Sequence, residues 1–408
     1  MYAEMRHSWR VFRCIPIRAS YGLLQSANER PPFSFVVVFN RKDKRMSTMA
    51  KERIAGVDLA KIIAIFFVMV HHVSDCGVDV QTGNLTLSYF HILIHSISYS
   101  CIDLFALATG FLCVNSSCRY SRIVSLWVST VFWGVTALLF THFCLGYSIP
   151  WKIYFNALFP IWRGQYWFFT AYFMLFFFIP CLNKSITNMT KLEFQHLLVV
   201  IGVFICGYSI YSTDLFSMRR GYSFPWLCIV YIIGAYLRIY PPRKLSSVVC
   251  FSIAALIAFI TCFRQFVSAI IGFRIPGDRF CLISYVSPFT LAIAIMIFIG
   301  CINMMFSDKM SRFLKTVATT TFGVYLIHVQ PFVWKNVWMA KFHSIEVGSV
   351  SGLFLIVFLF SVGTFVGLSL LEYCRLLMFS KIGIDKLICK IDDYMQIWQE
   401  VRGGQKSN

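Results

Sequence analysis

The sequence has few charged residues for its size. Only 13% of its 408 residues are Asp, Glu, Lys or Arg, against roughly a quarter in a soluble domain. Because mean hydropathy is +0.69, this shortage excludes water-soluble domains and a disordered chain. Hydrophobic residues make up 58% and aromatic residues 17% of the chain, with 42 Phe. Such a composition is typical of a membrane protein, whose lipid-facing and interfacial surfaces are rich in these side chains.

Metal-binding and disulfide motifs are also missing. The 15 cysteines lie mostly in apolar runs and none forms a Cys-x-x-Cys pair, which argues against a zinc finger and a secreted disulfide scaffold. His91 and His95 are i, i+4 partners that could supply two zinc ligands, but no His-Glu-x-x-His motif accompanies them. We therefore expect no metal and interpret the pair as interhelical hydrogen-bonding groups.

Residues 1–50 are a basic N-terminal extension that differs from the rest of the chain. Residues 1–53 hold eleven Lys or Arg and four acids, without an apolar run long enough for a membrane span or a signal-peptide core. Two interpretations remain open. The extension is a disordered arm on an anionic membrane surface, or it follows an upstream start that the cell does not use, since Met46 and Met49 precede the first long apolar run.

Ten apolar runs approach the roughly 20 residues needed to cross a bilayer. With the N-terminus in the cytoplasm, the segments on that side hold 27 Lys and Arg and the opposite segments hold nine. Cytoplasmic loops carry the excess of Lys and Arg, so the sequence predicts an all-α polytopic membrane helix bundle with about ten transmembrane helices and both termini cytoplasmic. The runs are 54–74, 89–114, 123–145, 165–182, 194–211, 223–239, 247–266, 282–306, 317–339 and 350–374.

Prolines mark the ends of two short runs, and the residues after the tenth run form a separate segment. Pro180 and Pro225 lie at the ends of the fourth and sixth runs, where helices stop or begin. Residues 51–375 form the predicted membrane domain. We interpret residues 376–408 as a cytoplasmic amphipathic tail on the inner surface and expect no soluble domain after the tenth span.

The first span has the densest set of ionisable residues. In hydrocarbon such side chains cost at least a few kcal/mol and mark function by default. At about 100° per residue, Lys61 and His72 lie within about 20° of each other, and Asp58 lies about 40° from His72. His71 points about 100° away, so it does not share this face. His72 lies about 16 Å along the helix from Lys61, which places Lys61 near the cytoplasmic mouth.

This arrangement suits a reaction across the membrane. A cation at the inner mouth can hold an anionic phosphorylated donor, and an imidazole farther out can accept a proton from a hydroxyl group. The structural alternative is a snorkelling lysine with an interfacial histidine.

Four separated motifs resemble the acyltransferase 3 family of integral membrane acyltransferases, which includes the O-acetyltransferases of bacterial surface polysaccharides. Lys61 and His72 stand where the family has a basic residue eleven positions before a histidine, although arginine is usual and Lys lacks its bidentate fork. The stretch 101–112, with Asp103 and Thr109, is similar to the family's valine-aspartate-x-phenylalanine-phenylalanine-x-x-serine-glycine-phenylalanine pattern. The other two are Gln165-Tyr-Trp167-Phe168 to Pro180, and Thr321-Phe322-Gly323-Val-Tyr325-Leu326-Ile-His328.

The resemblance implies an activity and roles for individual residues. The donor is acyl-CoA, with acetyl-CoA favoured over succinyl-CoA, and the acceptor is a cell-surface or lipid-linked carbohydrate at the membrane of a bacterium. Lys61, Arg119 and Arg122 contact or steer the donor phosphates, although Arg119 is equally an ordinary positive-inside signal. His72 is a general base or a transient acyl carrier. Asp103 orients a histidine or stabilises the fold through a buried pair.

The remaining site residues are predicted to bind the substrate. Tyr325 and His328 line the cavity on the ninth span, although a core histidine bonded to a neighbour is the stronger interpretation of His328. Trp167 offers an aromatic face to a sugar, together with neighbouring aromatic residues that otherwise form an interfacial belt. These neighbours are Trp151, Trp162 and Tyr166.

Two other classes of protein stay open on the residues alone. A proton-coupled transporter or flippase of a glycan or lipid precursor would use the buried His and Asp residues as a proton relay. Its expected paired broken helices are not evident, since Gly110 and Gly363 are isolated. A non-catalytic membrane scaffold leaves the polar face of the first span unexplained. We expect membrane lipids as partners of an acyltransferase, a transporter or a scaffold alike, and nucleic acid as a partner of none of them.

Overall fold

The computed structural model describes residues 54–76, 78–80, 84–116, 119–210, 216–242, 245–271, 282–339 and 345–404. The basic N-terminal extension, with its two alternative interpretations, lies outside these residues. The described part is an all-α membrane bundle, as predicted, with one short pairing of two three-residue strands.

The described part of the chain contains fourteen α-helical segments, two strands and a separate 3₁₀ turn at Arg219–Gly221. α7 continues into a π-helix at Ile201–Gly207 and a 3₁₀ turn at Tyr208–Ile210, and α12 continues into a π-helix at Trp334–Trp338. The elements are α1 (Ala55–Cys76), β1 (Val78–Val80), α2 (Leu85–Ser98), α3 (Cys101–Cys113), α4 (Tyr120–Phe143), α5 (Trp151–Leu158), α6 (Trp167–Asn188), α7 (Lys191–Val200), α8 (Phe224–Ile239), α9 (Ser247–Ile271), α10 (Pro288–Ile302), α11 (Asp308–His328), α12 (Pro331–Val333), β2 (Ile345–Val347), α13 (Val350–Ile382) and α14 (Ile384–Gly404).

Seven helical stretches among these residues are long and apolar enough to cross a membrane. α8 and α10 are apolar but shorter, and each of the ten predicted runs overlaps a helix. The protein is therefore a multi-pass membrane protein. The seven are Ala55–Ser74, Leu85–Cys113, Tyr120–Phe143, Trp167–Asn188, Lys191–Ile210, Ser247–Arg264 and Val350–Ile382.

α1 is the central helix of the bundle. Its small residues Ala60 and Ala64 are fully buried, and the helix contacts α2, α3, α10, α11 and α13. Small side chains let helix backbones approach closely, which is how membrane helices associate without a hydrophobic driving force between them. Asp58 and His71 are buried as well, so polar residues of α1 lie inside the bundle.

Two contacts define the ends of the bundle. β1 pairs in parallel with β2, with Val78 opposite Ile345, so the end of α1 and the start of α13 lie together; we refer to this as the strand end. At the opposite end, Gly56 of α1 packs so closely on the backbone at Cys301 of α10 that a Cβ would overlap it. Lys61 is near this opposite end, whereas His72 is near the strand end.

The first turns of α3 and α8 contact each other, as do their last turns, so the two helices pack closely and run parallel. A Cβ at Gly110 would overlap the Tyr231 carbonyl oxygen, and one at Gly234 would overlap that of Leu107. Each helix thus has a glycine against which the backbone of the other helix packs. Parallel orientation is what the predicted spans require, since α3 and α8 belong to the second and sixth crossings.

The structure corrects three boundaries. The second predicted span is divided at Tyr99 and Ser100 into α2 and α3; serine hydroxyls that bond preceding carbonyls accompany this break, as at Ser100 Oγ to Ile97 O, 2.7 Å. Pro180 lies inside α6 and does not end it, because one lost backbone hydrogen bond is tolerated in a membrane helix. The ninth predicted span, 317–339, breaks after His328.

The predicted tail after the tenth span is helical. α14 packs against the start of α4, where Asp392 accepts a hydrogen bond from the backbone N–H of Ser121 at 2.8 Å and another from its hydroxyl group. A carboxylate at a helix N-terminus is favourable because the first N–H groups of a helix have no partner within it.

Candidate active site

The centre of the candidate site is a pair of histidines from α1 and α11. His72 Nδ1 and His328 Nε2 are 2.9 Å apart, a hydrogen-bond distance. The ring centroids are 5.0 Å apart and the ring planes lie within 17° of each other, so the two imidazoles meet edge to edge through this hydrogen bond. His328 is buried and His72 is half-buried, so His72 is the more accessible member of the pair.

α11 ends at His328, and the segment that follows places an aromatic ring against this histidine pair. Gln330 is buried and its side-chain oxygen accepts from the Val333 N–H at 2.8 Å, capping the new helix that Pro331 begins. The π-helix that follows brings Trp334 against both imidazoles, 4.6 Å from His72 and 5.1 Å from His328 between centroids. The sequence analysis did not single out Trp334.

Beside the histidine pair, a row of polar rings begins at His71. As expected from the helical angle, His71 faces a different neighbour from His72 and packs on His95 and Tyr99 of the following helix, at centroid distances of 4.7 and 4.8 Å. His91 Nε2 lies 2.7 Å from the Ser74 carbonyl oxygen, so this ring hydrogen-bonds between helices, as we interpreted it. Among the described residues, no group of three His, Cys, Asp or Glu is placed to hold a metal ion.

An aromatic cluster continues from this row at the strand end. The hydroxyl groups of Tyr99 and Tyr222 are 3.2 Å apart, and Tyr285 packs on both rings. Trp167, a predicted substrate-binding residue, packs on Tyr222 and Tyr285 at 4.7 and 6.2 Å between centroids. The cluster therefore joins the junction between α2 and α3, the start of α6 and the segments before α8 and α10.

The other aromatic residues near Trp167 do not gather into one group. Trp151 and Trp162 are exposed, at 77% and 90%, whereas Tyr166 is buried. Exposed tryptophans are typical of an interfacial belt. Tyr325, also predicted to bind substrate, packs on Tyr166 and Phe168.

Asp103 is fully buried beneath the aromatic cluster. Trp226 of α8 donates its indole N–H to Asp103 Oδ1 at 2.9 Å, and Oδ2 has no hydrogen-bond partner within the described part of the chain. Its hydrogen bond thus connects α3 with α8, next to the glycine contact between the same helices. This geometry fits the structural role better than the orientation of a histidine.

The predicted donor-binding cations lie away from the histidine pair. Arg119 is the N-cap of α4 and Arg122 lies in its first turn; both are exposed and stand next to the contact with α14. Lys61 is half-buried in α1, eleven residues before His72. The site thus has its cations near one end of the bundle and its imidazoles near the other.

The sequence analysis missed one buried ionic cluster. Arg375 forms an ion pair with Glu372 at 2.6 Å in α13, and Trp133 of α4 donates its indole N–H to the same carboxylate at 2.6 Å. Glu372 is the sole acid in the 33-residue helix, so the signal was present as an ionisable residue in an apolar run.

Comparison with known proteins agrees with these features. A family model described as an acyltransferase domain, acyltransferase 3, matches residues 54–373. Comparison with curated proteins and with solved structures gave no match. The matched range includes both histidines of the pair, Asp103, Glu372 and the three predicted donor-binding cations. Because the family model covers most of the sequence, this chain belongs to the acyltransferase 3 family of membrane acyltransferases.

Proposed function

We propose that this membrane acyltransferase transfers an acyl group, in the first instance acetyl, from cytoplasmic acyl-CoA to a hydroxyl group of a cell-surface or lipid-linked carbohydrate. The observation that carries the chemistry is the 2.9 Å contact between His72 Nδ1 and His328 Nε2. A histidine held by one ring nitrogen presents the other nitrogen in a fixed direction, as a general base requires.

Only one placement of the protons on the two rings leaves His72 able to act as a base. If His72 Nδ1–H donates to the lone pair of His328 Nε2, the remaining lone pair of His72 is on Nε2. That nitrogen takes the proton of the acceptor hydroxyl as its oxygen bonds to the acyl carbon. While the carbon–sulfur bond breaks, His328 accepts a hydrogen bond from the His72 imidazolium and stabilises its charge. The coenzyme A thiolate then takes the proton from His72 Nε2 and leaves as the thiol, so His72 returns to its neutral form.

The opposite tautomer gives His72 a different role. With His328 Nε2–H as the donor, His72 carries its proton on Nε2 and can donate to a developing oxyanion, but it cannot accept a proton there. Proton abstraction therefore selects the first assignment. It places His72 at the substrate and His328 behind it.

The two ends of the bundle suit a donor and an acceptor on opposite sides of the membrane. The 27-to-9 distribution of Lys and Arg favours cytoplasmic termini, which puts Lys61, Arg119 and Arg122 toward the cytoplasm, where the phosphates of acyl-CoA would approach. We assign the protein to a bacterial cytoplasmic membrane because the family that its motifs resemble includes enzymes that modify bacterial surface polysaccharides. The strand end, with the histidine pair, then faces outward.

The aromatic cluster at the strand end supports a carbohydrate acceptor. Trp167, Tyr222 and Tyr285 combine flat apolar rings with phenolic hydroxyl groups, as sugar recognition requires. The cluster connects to His72 through Tyr99 and His71. An acceptor hydroxyl held here would lie on the outward side of the bundle.

The histidine row also favours a second function, proton-coupled transport. His328, His72, His71 and His95 follow one another with ring centroids 4.7 to 5.5 Å apart, and intramembrane histidines serve as proton relays in transporters. The two functions differ in their requirement for an ion gradient. Transfer of an acyl group proceeds in membranes without one.

The test is transfer of labelled acetyl from acetyl-CoA to endogenous glycan in de-energised membranes, at matched protein levels. We expect label with the wild type and a loss of about 10²–10⁴-fold in His72→Ala, the contribution of a general base. His142→Ala is the matched control, because His142 is exposed and the hydrogen bond that the structure gives its ring is a local one, to the Tyr147 carbonyl oxygen. Equal label in wild type and His72→Ala would remove His72 from the mechanism, and gradient-dependent export of an unmodified glycan would favour the transporter.

A further inference from the structure

Glu372 is a carboxylate clamped at the meeting point of three helices. It is 2% exposed. Trp133 of α4 donates to Oε2 at 2.6 Å, and Arg375 donates from Nε to Oε2 at 2.8 Å and from Nη2 to Oε1 at 2.6 Å. The guanidinium also lies over Phe379, 4.5 Å from the ring centroid. Both carboxylate oxygens are therefore held in place by α4 and α13.

The third helix, α11, meets this carboxylate at Gly323. A Cβ built on Gly323 would overlap the carboxyl carbon and one oxygen of Glu372, so only glycine allows the contact. Gly323 lies five residues before His328 in the same helix, about 7.5 Å along its axis. Because a helix moves as a unit over this length, a shift at Gly323 also moves His328.

We propose that Glu372 is a positioning residue: its carboxylate is the surface on which Gly323 seats α11, and this seating sets the hydrogen bond between His328 and His72. The tolerance is small, because a 2.9 Å contact stops being a hydrogen bond beyond about 3.5 Å. The inference rests on the proposed function for its catalytic meaning, since His72 and His328 are the pair that it aligns. Its geometric part is independent of any activity.

The geometric part is tested by crosslinking a His72→Cys, His328→Cys protein with a short thiol reagent, with the linked peptides quantified by mass spectrometry. Peptide identification separates this link from links to native cysteines. Gly323→Ala should lower the yield at least fivefold. Adding Glu372→Asp, which is one methylene shorter and vacates the space, should restore it to within twofold. His72→Cys with Lys315→Cys is the negative control, since Lys315 lies about 20 Å from His328 along α11.

Two further variants keep the test decisive if Gly323→Ala does not accumulate in the membrane. Glu372→Asp alone leaves α11 without its seat and should lower the crosslink yield, whereas Glu372→Gln keeps the length of the side chain and should retain it. Gly363→Ala, whose Cβ would meet nothing within 4 Å, should change nothing. An unchanged yield in Glu372→Asp, or a double variant no better than Gly323→Ala, would overturn the proposal.

Kinetics of the same variants, with both histidines intact, test the catalytic meaning. Gly323→Ala should lower kcat at least tenfold while the KM for acetyl-CoA stays within twofold, because the donor-binding cations lie elsewhere. Glu372→Asp should rescue kcat in the double variant. If the wild type transfers no acetyl group, the proposed function fails, and the crosslinking result still decides whether Glu372 positions α11.

Discussion

His72 and His328 are separated by 256 residues in the chain and share a hydrogen bond of 2.9 Å. Each belongs to a helix that packs closely on the other, and Trp334 lies against both rings. Two imidazoles in one hydrogen bond must hold complementary tautomers, one donating and one accepting. Their roles in catalysis are therefore unequal, and substitution should separate them.

Replacement of His328 by Gln should lower kcat by about tenfold, less than the loss expected for His72→Ala. The amide oxygen can still accept a hydrogen bond from His72, whereas His328→Leu cannot and should cost about a hundredfold, since a hydrogen bond to a charged group is worth about 1.5–3 kcal/mol. The measurement is the rate of acetyl transfer at saturating acetyl-CoA. A His328→Leu enzyme with wild-type kcat would make His328 a core residue only.

The helices of the fold were predictable because each is a long apolar run. α1 and α4 agree closely with the predicted spans 54–74 and 123–145. The break between α2 and α3 was not predicted, because both halves are apolar and only serine hydroxyl bonding to the backbone distinguishes the junction. Pro180 was assigned to a helix end on a rule for soluble helices, and the membrane relaxes that rule.

The site was predictable only residue by residue. The angular argument on α1 separated His72 from His71, and the two do face different partners. Hydropathy and spacing carry no information on which helices touch, so the pairing of His72 with His328 needed the three-dimensional structure. Glu372 was missed for another reason: counts of Lys and Arg, which predict topology, do not include acids, and Glu372 is a single acid in the last span.

The structural interpretation of Asp103 makes a prediction about its amide. Asp103→Asn keeps an oxygen acceptor for the Trp226 indole N–H, so protein level and transfer rate should stay within about threefold of wild type. Asp103→Leu leaves that buried N–H without an acceptor and should destabilise the protein by about 1–3 kcal/mol. Thermal unfolding in detergent and acetyl transfer measure the two effects. A hundredfold loss of transfer in a stable Asp103→Asn protein would instead give Asp103 a part in the chemistry.

The close contact between α3 and α8 should be sensitive to a single methyl group. Gly234→Ala places a Cβ against the Leu107 carbonyl oxygen, and overpacking of this kind costs about 1–3 kcal/mol. We expect a lower midpoint of thermal unfolding in detergent. The midpoint is measured by size-exclusion chromatography of protein heated to a series of temperatures. Gly363→Ala, in an exposed part of α13, is the control and should unfold at the wild-type temperature or slightly above it. Equal midpoints for the two variants would show that α3 and α8 can separate without cost.

The last prediction concerns the lysine near the end of α1 that lies opposite the strand end. Arginine is usual at this position of the family pattern that Lys61 and His72 resemble. A guanidinium binds phosphate in bidentate geometry, whereas an ammonium acts as a point charge. If Lys61 contacts the donor, Lys61→Met should raise the KM for acetyl-CoA at least tenfold, and Lys61→Arg should keep or lower it. Lys309→Met removes an exposed charge at the start of α11 and serves as the control, because a general loss of positive surface charge would affect both lysines alike. A Lys61→Met enzyme with unchanged KM and reduced stability would mean that Lys61 serves the packing of α1, and donor binding would then depend on the exposed arginines at the start of α4.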